Sequence, residues 1–150
     1  PDLKYESSEL SARYSQAPFY FQAAAKAIAQ MIRQTGNPHL KKIPGEAAPV
    51  MDRGVIIRHL VLPGSKDDSI RLMHWIAEQL PKDSFYISLM SQYTPYEQNP
   101  QFPELNRRIT SYEYQKVVDA ALELGLTQGF MQEKSSAKEE YTPPFELQGI

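Results

Sequence analysis

The sequence predicts an α/β fold built on a parallel sheet, and three observations predict it. Short apolar, β-branched runs alternate with stretches of helical periodicity along most of the chain. Residues 54–76, GVIIRHLVLPGSKDDSIRLMHWI, place a strand, a Pro-Gly turn and an amphipathic helix in direct succession. The connections between successive strands are long enough to hold a helix each, as parallel right-handed βαβ crossovers require. Chain order leaves two arrangements open, part of a β/α barrel or an open doubly wound sheet.

The elements follow in order. Residues 2–5 close a strand whose apolar body is expected upstream, so the sequence reads as a piece of a longer chain. Residues 7–14 fit a short helix. Residues 19–35 fit a long Ala-rich one, with Ala24, Ala27, Ile28, Met31 and Ile32 at helical spacing and a stop at Gly36-Asn37-Pro38. Residues 41–53 contain two prolines and no usable period, which predicts a loop. Residues 54–62 are the second strand, rich in Val and Ile as buried parallel strands are. Ser65 with Asp68 three residues on has the pattern of a capping box, and Asp67 and Asp68 suit the positive end of a helix dipole. Ile70, Met73, Ile76, Ala77 and Leu80 then make one apolar face. Residues 85–90 are the third strand, followed by a long connection to residue 109. Thr110 with Glu113 opens the last helix, whose core face is Tyr114, Val117, Val118, Ala121 and Leu124 and whose end is Gly125. Residues 127–132 fit a short fourth strand. The chain thus divides into βα units over 1–132 and a charged, Pro-containing tail over 133–150 with no core pattern of its own.

Composition excludes several classes. Sixteen basic and eighteen acidic residues give a net charge of −2, with no long basic run, against a nucleic-acid surface. Nothing approaches the ~18 consecutive apolar residues of a membrane span, and the first residues lack the pattern of a secretory leader, so a cytoplasmic location is expected. With no cysteine, thiolate metal sites, cysteine nucleophiles and cysteine-held iron–sulfur clusters are excluded from this stretch. His39, His59 and His74 form no ligand pair, so no metal site is expected. There is no GxGxxG, GxxxxGK[ST] or GxSxG.

The polar residues on the strands carry the functional reading. Side chains alternate along a strand, so Asp2 and Lys4 share a face, and Arg58 sits apart from its neighbour His59. If Asp2, Lys4 and Arg58 face one interior, they form a cluster with one net positive charge, suited to an anionic group such as a carboxylate. The alternative is a charge network that only fixes strand register. His59 reads as a satisfied core histidine with no role in chemistry. The 92–109 connection leaves the C-terminal end of a strand, the functional side of β/α architectures, and Tyr93, Tyr96, Phe102 and Arg107 offer either a contact surface or a rim connector.

PDLKY…ELSARYS, RGVIIRHLVLPG…DDSIRLMHWI, YISLMSQYTP and the final helix together resemble the C-terminal half of radical S-adenosylmethionine proteins related to pyruvate formate-lyase activating enzyme. The resemblance covers residues 1–133 apart from 41–53, and VIIRHLVLPG is its most specific part. It implies a partial parallel (β/α) barrel, this chain supplying the C-terminal βα units of a (β/α)6 barrel. It implies S-adenosylmethionine and a [4Fe–4S] cluster held by a C-x3-C-x2-C loop, whose reductive chemistry yields a 5′-deoxyadenosyl radical that takes a hydrogen atom from a glycyl-radical enzyme or another protein substrate. The D-x-K pair falls on Asp2 and Lys4 and the strand arginine on Arg58, positions that the resemblance implies meet the methionine end of the cofactor or an ion beside it. The family's histidine just after the third strand is replaced by Tyr93, beside Gln92. Asp2, Lys4, Arg58, Gln92 and Tyr93 are therefore the expected cofactor-facing residues. Without the cysteine loop, this chain is expected to be inactive alone, and with an exposed sheet edge to self-associate or be only marginally stable. The competing expectation is a non-enzymatic α/β interaction domain whose strand charges are structural.

Overall fold

The computed structural model describes residues 1–45, 49–95 and 98–131. Period-two alternation sets the sheet. β3 (Ile56–Leu60), β4 (Tyr86–Met90) and β5 (Gly129–Met131) run parallel in the order β3-β4-β5. Before them in sequence, Asp2 makes a parallel bridge to Arg58, so the first residues lie along the other edge of β3. Leu3, Tyr5, Val55, Ile57, His59, Val61, Phe85, Ile87 and Leu89 are all buried. Against them pack Ile28 and Ile32 of α2 (Tyr20–Thr35), Leu72, Met73 and Ile76 of α3 (Lys66–Gln79), and Tyr114, Val117, Val118 and Ala121 of α4 (Ser111–Glu123). α1 (Ser8–Ser15) opens on Ser7, whose Oγ accepts from the Glu9 and Leu10 N–H groups. The alternate residues, Ile56, Arg58, Leu60, Tyr86, Ser88 and Met90, face the other way and none is buried.

The expected partial (β/α) barrel does not form. Among the described residues the parallel sheet is open, with helices packed on one face only. Its outer edge is also stopped. In the first four residues, Pro1 and Leu3 bond to β3, through Arg58 N–H to Pro1 O at 2.9 Å and Leu3 N–H to Arg58 O at 2.8 Å. The groups on the far side are taken by one side chain: the Tyr20 hydroxyl accepts from Lys4 N–H at 2.9 Å and donates to Asp2 O at 2.8 Å. A further strand pairing at these groups would have to displace it.

Other local expectations also change. Residues 41–53 are not a plain loop: β1 (His39–Lys41) and β2 (Val50–Arg53) form an antiparallel hairpin. Its side chains are exposed on nearly every position, so no hydrophobic alternation marks the strands. The hairpin closes at Gly54, whose φ is 131° and where a Cβ would lie 2.7 Å from Pro38 Cα. Ser65 does not cap α3 with its side chain. Instead Asp68 turns outward from the helix, and its carboxylate accepts from the Glu6 and Ser7 N–H groups at 3.0 and 2.9 Å. Ala27 and Met31 lie on the exposed side of α2. The expected tail over 133–150 lies outside the described residues.

Glu113 draws together the two connections that follow β3 and β4 at the C-terminal ends of the strands. The Thr110 and Glu113 capping box forms as the spacing predicts. The same carboxylate accepts a forked pair from Arg107, 2.8 and 2.7 Å, and the Gly64 N–H at 2.8 Å. The Arg107 guanidinium first, then the Thr110 and Gly64 donors, hold its carboxyl well below the usual carboxylate range against the opposing effect of burial. A depressed folded pKa contributes stability that is complete above the unfolded value and is lost as pH falls. Glu113→Ala is expected to cost about 2 kcal/mol in urea unfolding at neutral pH. The gap between wild type and variant is expected to narrow as pH drops below about 4.

Candidate functional site

The half-exposed sheet face gathers three of the residues the sequence singles out. Arg58 Nε donates to Asp2 Oδ1 at 2.7 Å, and the two side chains are 58% and 41% exposed. Neither Nη group of Arg58 has a partner among the described residues. Lys4 is exposed on the same face. The hydrogen bond from Arg58 is the main cause that lowers the Asp2 pKa, with burial opposing it and the charges of Arg58 and Lys4 adding to it. The three charges therefore sit at a surface and not in an enclosed interior, which removes most of the desolvation cost that a buried cluster would carry.

Register adds residues that the sequence reading passed over. Arg58 pairs with Ser88, Ile56 with Tyr86, and Leu60 with Met90, so all of these share its face. Alternation in FYISLM carries that signal once β4 is aligned beside β3. The result is an arginine fork flanked by a lysine, a hydroxyl, a phenol ring and aliphatic side chains. Such a surface can hold a carboxylate next to an apolar group.

Gln92 and Tyr93 are placed differently. Gln92 is exposed beyond the end of β4, with Nε2 4.0 Å from the Met90 sulfur. Tyr93 is half-buried and donates its hydroxyl to Leu105 O at 3.0 Å; burial raises its pKa. Phe102 stacks edge-on against Tyr14, with ring centroids 5.3 Å apart and the Arg13 guanidinium carbon 5.6 Å from the Phe102 centroid. Glu104 accepts from Tyr14 and Arg13, both at 2.7 Å. Burial, then the Glu104 carboxylate, pushes the Tyr14 phenol up to about 12. With Arg107 engaged by Glu113, the described aromatic and cationic side chains of the 92–109 connection mostly fasten it to α1 and α4. Tyr96 lies outside the described residues.

Among the described residues no group of three or more His, Asp or Glu is placed to hold a metal ion. No helix among them is long and apolar enough to cross a membrane. A cavity of about 140 Å3 lined by Ile76, Leu80, Phe85, Leu124 and Leu126 lies at the other end of the sheet, near the start of β4.

No protein-family model matches the chain, and no solved structure does. A stretch of 73 residues, 48% of the chain, is 34% identical to the uncharacterized protein MJ0674 of Methanocaldococcus jannaschii, and it covers 21% of that protein. The chain thus spans about a fifth of the length of this archaeal relative.

Arg58→Ala removes the chief cause of the low Asp2 pKa. An NMR titration of the Asp2 carboxyl is expected to show its pKa move up from the wild-type position. Because both groups are substantially exposed, stability is expected to change by less than about 1 kcal/mol.

Proposed function

We propose that this chain is the cofactor-flanking C-terminal portion of a radical S-adenosylmethionine oxidoreductase similar to the activating enzymes of glycyl-radical enzymes. The observation that carries the reading is the Arg58 fork. Asp2 fixes its Nε side, and among the described residues nothing occupies either Nη group, which leaves both open to a ligand on the half-exposed face. A planar fork of this kind suits a carboxylate, and the amino-acid end of S-adenosylmethionine supplies one. When bound, the cofactor supplies the radical chemistry, and the protein supplies position and shielding. Arg58 would orient the carboxylate and Lys4 would add positive charge. Asp2 would hold the fork in place and offer a carboxylate to the cofactor's ammonium group. Gln92 and Tyr93 would flank the site from the end of β4, Tyr93 through the loop that it steadies. The [4Fe–4S] cluster does not fit this chain, which has no cysteine. Its ligands belong to residues outside the sequence, and the isolated chain is inactive in this reading. A protein substrate, such as a glycyl-radical enzyme, and a reducing cytoplasmic location go with it.

A second reading has its own observation in favour. Leu40, Ile43 and Val50 are exposed on and beside the β1–β2 hairpin. In a non-enzymatic interaction domain they would meet a protein partner, and the Asp2–Arg58 pair would be structural.

The two readings separate on the intact protein. The reading frame upstream of Pro1 is expected to encode a C-x3-C-x2-C motif. In calorimetric titration with S-adenosylmethionine, Arg58→Ala is expected to weaken binding by at least about tenfold, the loss of a charge-assisted forked bond. Unchanged affinity in a folded variant would remove Arg58 from the site and favour the interaction domain.

A further inference from the structure

Three strands bring one polar row across the half-exposed face. Asp2 bridges Arg58, and Arg58 pairs in register with Ser88, so the three positions succeed one another at the strand spacing of about 4.8 Å. An apolar pair flanks the row on either side, Ile56 with Tyr86 and Leu60 with Met90. The opposite face of the same strands is closed to a ligand. There His59 is 1% exposed, with Nδ1 2.7 Å from Leu3 O and Nε2 2.8 Å from Ser69 Oγ.

Ser88 is the member of this row that has no task in the fold. Asp2 and Arg58 hold each other at 2.7 Å. Other serines have local work: Ser7 caps α1, and Ser11, Ser69 and Ser84 donate to backbone carbonyls. The Ser88 hydroxyl has no hydrogen-bond partner among the described residues. Being short, the side chain leaves a notch between Tyr86 and Met90, which stand two residues to either side on the same face. On the neighbouring strand Arg58 borders this notch, and its two Nη groups are likewise without a partner among the described residues. A carboxylate has about four lone-pair sites, so it can accept from a guanidinium and a hydroxyl at the same time.

We propose that Ser88 is a ligand-binding residue whose hydroxyl donates to the carboxylate that Arg58 holds. With Ser88 on one side of Arg58 and Asp2 on the other, the row also gives the ligand a direction. Its carboxylate lies toward β4 and its ammonium group toward Asp2. This contact rests on the reading above, in which the face receives the amino-acid end of S-adenosylmethionine, and it adds to that site a residue from within β4.

Calorimetric titration of the intact protein with two ligands isolates the contact. S-adenosylmethionine carries the carboxylate, and its decarboxylated form does not. Ser88→Ala is expected to weaken S-adenosylmethionine about tenfold, the loss of one hydrogen bond to a charged group, and to leave binding of the decarboxylated form unchanged. The change removes one oxygen from a half-buried position, so the fold is expected to hold. An equal loss for both ligands, or no loss for either, would overturn the role of Ser88. Arg58→Ala in the same assay separates this contact from the reading it rests on. If Arg58→Ala narrows the difference between the two ligands and Ser88→Ala does not, Arg58 keeps the carboxylate and Ser88 falls alone. If the wild type does not distinguish the two ligands, no carboxylate is held on this face and both fall.

Discussion

The seam between the first five residues and β3 is the constraint on which the rest depends. Only one parallel bridge joins them, yet both faces of the sheet are fixed there. On the buried side Leu3 and Tyr5 enter the core and His59 takes the Leu3 carbonyl. On the other side Asp2 meets Arg58. Beyond the seam, Asp68 catches the Glu6 and Ser7 N–H groups, and Tyr20 closes the far edge. Few hydrogen bonds make this joint, but most are made by buried or charged groups whose loss leaves a partner unsatisfied. Such losses are the ones that weigh most.

The seam also explains why the two sheet faces differ. Three helices bury one face, and its strands are apolar apart from His59, whose ring nitrogens are both engaged. The other face is left half-exposed, and a charged pair can stand there without the desolvation cost of an interior. A site can be placed on such a face at little expense in stability, whereas the connections above it are held separately by Glu113, Arg107, Tyr14 and Glu104.

Helices with strong end signals were legible in the sequence. Thr110 with Glu113 and the Gly36-Asn37-Pro38 stop give α4 and α2 close to their observed bounds, because capping and termination are local effects. The hairpin was not legible, since β1 and β2 bury almost nothing and alternation carries no information there. Asp68 stands in the first turn of α3 as its sequence position predicts, but its bonds to the Glu6 and Ser7 amides, about sixty residues away, have no local signal. The barrel expectation came from resemblance. The edge contact of Tyr20 with Asp2 and Lys4 is tertiary and has no sequence signal. For the site, alternation placed Asp2, Lys4 and Arg58 on one face, but Ser88 and Tyr86 join them only through the register of β3 with β4. Tyr93 and Phe102 fit either a contact surface or a rim connector in the sequence, and the structure has both fastened, Tyr93 to Leu105 O and Phe102 against Tyr14, a distinction that depends on those residues being nearby in space.

The most direct test of this account is urea unfolding of a variant lacking residues 1–5, followed by fluorescence of Trp75 and by far-ultraviolet circular dichroism. Removal takes Leu3 and Tyr5 from the core and leaves the His59 ring without its carbonyl partner, at a combined cost above about 4 kcal/mol. The account predicts that the single cooperative transition is lost or moves to a much lower urea concentration, with the two probes no longer coincident. A truncated chain that unfolds in one transition at the wild-type midpoint would contradict it, and the sheet would then be held by its helices alone.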